Sequence, residues 1–226
     1  VAVLETTGAA FSFARSFIID EFDRRRREQP APAEQTLPPA NYVGLLRRNW
    51  IGNGSAAVFV RSALIELGGY DETLRARGAQ GAEDWKVALQ LAAKAPGIAL
   101  RDELIGYRQT PNTMSMNPVA MTRSTMRVLQ EMRRTGPRVA PWHFWHARTT
   151  VHIGLFYRWL HAGRTFGAVW CLIQAYLGNP LWFQHEDARD FLFKTLTRRL
   201  AKRLRALVVL AAAAAQPRQP LDTSRD

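Results

Sequence analysis

Between Asn49 and Ser115 the chain places polar chemistry at readable spacing. Glu83-Asp84-Trp85 puts two adjacent carboxylates ahead of a segment in which Trp85, Ala88, Leu89 and Ala92 fall at i, i+3, i+4 and i+7. Acidic residues in the first turn of a helix complement its dipole by about 0.3–1 kcal/mol, so the pair taken alone reads as a helix start. Arg108 has the planar fork that matches diphosphate oxygens, and it reads equally as an exposed Arg after a strand. Asn53-Gly54-Ser55 is a small polar turn leading into an apolar run. His143 and His146 stand three apart on a helical segment with no carboxylate at helical spacing, which reads as aromatic-rich packing rather than a metal site. The single Cys171 excludes an intramolecular disulfide and a Cys-based zinc site, and a reducing compartment fits.

The elements that would position these groups follow from patterning. Val1–Leu4 and Phe11–Ile19 are β-like runs, and a charged stretch and a Pro-rich surface loop at 29–40 come next. Ser55–Val60 reads as a buried strand after Gly52 and Gly54. A short helix over 62–67 is stopped by Gly68-Gly69, and the helix from Trp85 to about Ala95 ends at Pro96-Gly97. Ile98–Leu100 is a short strand, and helices are expected over 117–134, 143–161, 165–177 and 187–215. Residues 165–184 carry no charge, but Asn179-Pro180 interrupts a run that falls short of a bilayer span, so a buried or interfacial helix is expected.

With 226 residues, 47% of them hydrophobic, the chain can build a substantial core and is not a disordered protein. Its net charge of +12 invites a nucleic-acid partner. Only four of the 31 basic residues are Lys, however, and the Arg residues are spread over several segments rather than clustered for phosphate contacts. No nucleic acid is expected, and an anionic membrane surface is the better acidic partner. The segment after 187 supports this, since Phe193, Leu196, Leu200, Leu204 and Leu207 make an apolar stripe flanked by Arg and Lys.

In order, Asn49-Trp-Ile-Gly-Asn-Gly-Ser55, Arg61-Ser-Ala-Leu64, Gly68-Gly-Tyr-Asp-Glu72, Glu83-Asp-Trp85 and Tyr107-Arg…Ser115 resemble the second half of the family 2 glycosyltransferases. The resemblance implies an α/β fold: the C-terminal half of a GT-A domain over residues 1–137, then an α-helical C-terminal extension over 138–226. It implies an inverting transfer of a sugar from a nucleotide-sugar to a glycan or lipid-linked acceptor, in bacterial cell-surface polysaccharide synthesis. By resemblance Asp84 is the general base, with Glu83 beside it contacting the acceptor or supporting the site. Asn53, Gly54, Ser55 and Trp85 would line the acceptor cleft, and Arg108 would face the diphosphate. A base at a helix N-terminus needs partial burial, since the dipole alone would lower its pKa. Asp71 reads as a turn and cap residue.

Two departures qualify the resemblance. Where many relatives carry a His two residues after the Tyr-Arg pair, this chain has Thr110, and no Asp-x-Asp occurs anywhere in the sequence. A divalent metal, Mn or Mg, is therefore expected for the complete enzyme with its ligands outside these residues, and so is the nucleotide-sugar-binding half. The chain alone is expected to be inactive and cytoplasmic, peripheral at the inner membrane. The reading from a different class is a non-catalytic membrane-surface or binding module that keeps part of the fold.

Overall fold

The computed structural model describes residues 1–26, 40–110 and 113–181. A three-stranded mixed sheet carries the first half of the chain. Strand β1 (Phe11–Ile19) lies in the middle, antiparallel to β2 (Ala57–Phe59) and parallel to β3 (Ile98–Arg108). The parallel register runs from Ser12 opposite Ile98 to Ile19 opposite Arg108, with irregularities on either side of Arg15. β1 forms where the apolar run predicts it, and Phe11, Phe13 and Ala14 are buried. β3 is far longer than the expected 98–100. Its residues 101–108 are mostly exposed, so pairing with β1 rather than apolar patterning carries it on.

Two other expectations give way. Val1–Leu4 is not a strand: α1 (Ala2–Thr7) buries only Leu4 and stops at Gly8, whose φ of 68° is the left-handed helix end that Gly tolerates. Four apolar residues cannot distinguish the two periods. The run Ser55–Val60 forms a strand only over 57–59, and that strand is not buried, because β2 is an edge strand and Val58 points outward.

Helices cover the sheet. α2 (Tyr42–Arg47) is capped by Asn41, whose side chain accepts from Gly44 N, and it packs on α5 (Glu83–Ala92). α3 (Arg61–Glu66) ends at Gly68 and Gly69, both at positive φ, and α4 (Thr73–Ala76) is a single turn. α6 (Pro118–Thr135) starts at Asn117, which caps Val119 N and Ala120 N. α7 (Pro141–His161) packs on α2 and α6, and α8 (Thr165–Gly178) lies along α7, where Thr149 Oγ1 donates to Ala175 O. Phe11, Leu45, Leu46, Trp85, Leu89 and Val128 form the centre of the core.

The architecture is thus mixed α/β with a helical C-terminal part, the class expected from sequence. The described residues up to Asn179 make one compact unit. The basic stripe from Phe193 to Leu207 lies outside the described residues. No described helix is long and apolar enough to cross a membrane.

Candidate active site

A cavity of about 440 Å³ opens where α5 begins, walled by the 53–55 turn, the end of β3, the 114–116 turn and α7. Asp84 stands in it. One carboxylate oxygen, Oδ1, accepts from the Trp85 backbone N at 2.7 Å. The other, Oδ2, faces Gly54, where a Cβ would lie 3.7 Å away. Burial raises the Asp84 pKa above its ordinary 3.8, and the neighbouring Glu83 charge adds to this against the lowering pull of the Trp85 N–H. Partial burial therefore outweighs the helix start.

The residues around Asp84 are held by commitments of their own. Glu83 folds back, both carboxylate oxygens accepting from Gly81 N at 3.0 and 2.8 Å, so it closes its own helix start and does not line the cavity. Gly81 is required there: its φ is 122°, and a Cβ would overlap Met121 Sδ on α6. Trp85 is 1% exposed and donates its indole N–H to Leu45 O at 2.9 Å, which makes it the wall of the cavity rather than a face on which a sugar stacks. Lys86 is buried and ion-paired at 2.7 Å to both Asp71 and Glu131. That pair, with hydrogen bonds from Thr73, holds Asp71 down to about 2 and ties the Gly68–Glu72 turn to α5 and α6, the turn role expected of Asp71.

Asn53, Gly54, Ser55, Asp84 and Trp85 meet at one cavity. Asn53 is 6% exposed, donates to Ser16 Oγ on β1 at 3.0 Å and leaves Oδ1 unpaired. Arg108 does not join them. It turns to the other side of β3, donating to the carbonyls of Asp20 and Glu21 and to the carboxylate of Asp23. Its neighbour Tyr107 is the one that enters, donating to Ser115 Oγ at 2.7 Å.

Arg158, on α7, also lines the cavity and was not found by sequence reasoning. Its Nε donates to Ser115 O at 2.7 Å and its Nη1 to Gly154 O at 3.3 Å. Its sequence signal was a lone Arg one turn after Gly154, between Tyr157 and Trp159 on a largely apolar helix. One carboxylate beside Arg48 and Arg158 does not suit a divalent cation, which wants several oxygen ligands. Among the described residues no group of three or more His, Cys, Asp or Glu could hold a metal ion.

No curated protein and no solved structure matches the chain. Residues 41–150, just under half of it, do match a family model. That segment runs from the cap of α2 to the middle of α7 and contains Asn53, Gly54, Asp84 and Tyr107, and the family is described as glycosyltransferase like family 2.

Proposed function

We propose that this chain supplies the acceptor side of an inverting glycosyl transfer, with Asp84 as the general base. The observation that carries the reading is the Asp84 carboxylate: desolvated, raised in pKa, with Oδ1 fixed by Trp85 N and Oδ2 open to the cavity. A base tuned upward in this way is closer to working pH than an ordinary Asp. In the step, the acceptor hydroxyl oxygen forms a bond to the anomeric carbon as its proton passes to Asp84 Oδ2. The bond from that carbon to the nucleotide diphosphate breaks, and the leaving group keeps the electron pair. Asn53 and Ser55 are placed to hydrogen-bond the acceptor, and Trp85 and Glu83 hold the base in place. The nucleoside of the donor and any divalent metal belong to a donor-binding half that these residues do not contain.

The test is turnover of Asp84→Asn in the transferase that joins this chain to its donor half. Loss of a general base lowers the rate about 10²–10⁴-fold. Near-normal turnover would remove Asp84 from the role.

A membrane-surface position, on the cytoplasmic face and serving a lipid-linked acceptor, is favoured by a second observation. Phe166, Val169, Trp170, Ile173, Tyr176 and Leu177 are all exposed on α8, at helical spacing. Aromatic residues of this kind settle at membrane interfaces, and no Asp or Glu occurs between Glu131 and Glu186 to repel an anionic one. Phe166→Glu with Trp170→Glu should move the protein off anionic vesicles in a sedimentation assay. Equal sedimentation of parent and variant would count against the membrane.

A further inference from the structure

A second cavity, of about 700 Å³, shares Gly154 and Arg158 with the Asp84 cavity and is lined besides by Arg26, Gln109, Thr110 and His161, among others. Among the described residues no carboxylate lines it. Arg158 is the decisive residue. Burial disfavours its charge, yet no described carboxylate lies within 4.0 Å of it. Lys86, buried in the same unit, has two carboxylates. A desolvated cation without a counter-charge is costly unless a ligand supplies one. The carbonyls of Ser115 and Gly154 take Nε and Nη1 and so aim the guanidinium, while Nη2 has no partner among the described residues. Arg26 approaches from the end of β1, where its Nη2 donates to Gln109 O, and His161 closes the same cavity one turn after Arg158.

We propose that Arg158, Arg26 and His161 form an anion subsite that binds a phosphoryl group of the substrate next to the base. The proposal rests on the reading of the Asp84 cavity as the acceptor site. Two guanidinium groups and an imidazole offer more donors than one sugar carboxylate can accept, and they suit the several oxygens of a phosphate or diphosphate. That group comes either from the departing nucleotide diphosphate or from a phosphorylated acceptor.

The experiment is calorimetric titration of the whole chain with inorganic pyrophosphate, UDP, farnesyl phosphate and glucuronate. Pyrophosphate should bind and glucuronate should not. Tighter UDP identifies the donor as the source of the phosphoryl group, and tighter farnesyl phosphate identifies the acceptor. Arg158→Gln should weaken pyrophosphate binding about tenfold or more, as expected for losing a charge-assisted bond in a poorly solvated site. Because Arg158 is partly buried, Arg26→Gln and His161→Gln on the exposed rim serve as the second pair of variants, each with a weaker but measurable loss. Asp84→Asn should keep pyrophosphate binding. No pyrophosphate binding by the parent, glucuronate binding as tight as pyrophosphate, or unchanged binding in all three variants would overturn the subsite. Since binding is read without turnover, any of these results leaves the role of Asp84 to be decided separately by the transfer assay.

Discussion

Adding one methyl group at Gly54 tests the proposal that an acceptor hydroxyl reaches Asp84 as its base. An ideal Cβ at Gly54 would stand 3.7 Å from both Cβ and Oδ2 of Asp84, ordinary contact with nothing displaced. Gly54 is not among the positive-φ glycines, so Ala is free to adopt its backbone, and such a replacement is worth about 0.4–1 kcal/mol of added stability through the unfolded chain. The fold of Gly54→Ala should therefore be intact and its melting temperature equal or higher. The hydroxyl that gives its proton to Oδ2 must come within about 2.6–3.2 Å, while a methyl carbon holds other heavy atoms about 3.5–4.0 Å away. With the methyl 3.7 Å from Oδ2, those distances close a cone of about 60° half-angle on the Gly54 side of the carboxylate. An acceptor forced around that cone is misplaced by about 1 Å, enough to cost about 10²-fold. The expected result is a fall of about 10–100-fold in kcat/KM, or about 1.4–2.7 kcal/mol, borne mainly by kcat. The assay pairs initial-rate transfer kinetics with a thermal melt. Unchanged kcat/KM in a folded variant would mean that the acceptor approaches Oδ2 from another side, and a lowered melting temperature would refute the packing argument.

Further outcomes follow from the same geometry. Asp84 has a raised folded pKa, so its contribution to stability is present in acid and lost as pH rises through that value; Asp84→Asn should melt higher than the parent at neutral pH, with the gap closing in acid. The acid limb of the parent's rate profile should lie above the ordinary Asp range for the same reason, and a limb at 3.8 or below would contradict it. Lys86→Met should destabilise by about 2–3 kcal/mol in a denaturant titration, since it strands Asp71 and Glu131, though both carboxylates reach some solvent. Asp71 has its pKa held at about 2, so its share of that stability is full above 3.8 and disappears as pH falls toward 2. Arg108→Gln should cost no more than about 1 kcal/mol, as its partners are exposed, and should leave kcat nearly untouched; a loss as large as that of Asp84→Asn would return Arg108 to the site.

What could be read in the residues was whatever a local pattern encodes. The helical spacing from Trp85 to Ala92, the Asn117-Pro118 start of α6 and the Gly68-Gly69 stop each appear close to where they were expected, because periodicity and capping act within a few residues. The gathering of Asn53, Gly54, Ser55 and Asp84 was legible only through the order of motifs. The misses concern direction. Arg108 and Tyr107 are adjacent on a strand and therefore face opposite sides, and nothing in Tyr-Arg says which one enters. Glu83 and Asp84 are chemically alike, but the positive-φ backbone at Gly81 presents its N–H to the first, while the second lines the cavity. Arg158 was out of reach because its meeting with Ser115 spans 43 residues and depends on how α7 packs.

The first turn of α5 also bears on how acceptor preference can change. Trp85 is tied to Leu45 on α2, and Lys86 to Asp71 and to Glu131 on α6, so α5 has little freedom to roll and re-aim its carboxylate. The opposite wall is less committed: a Cβ added at Gly154 on α7 would meet only the Nη1 of Arg158, at 3.9 Å. Thr150 and Gly154 line the same cavity from α7, on the wall across from α5. Selection for a new acceptor, in nature or in a library, should therefore accumulate changes on this face of α7 while the Glu83–Lys86 turn stays as it is.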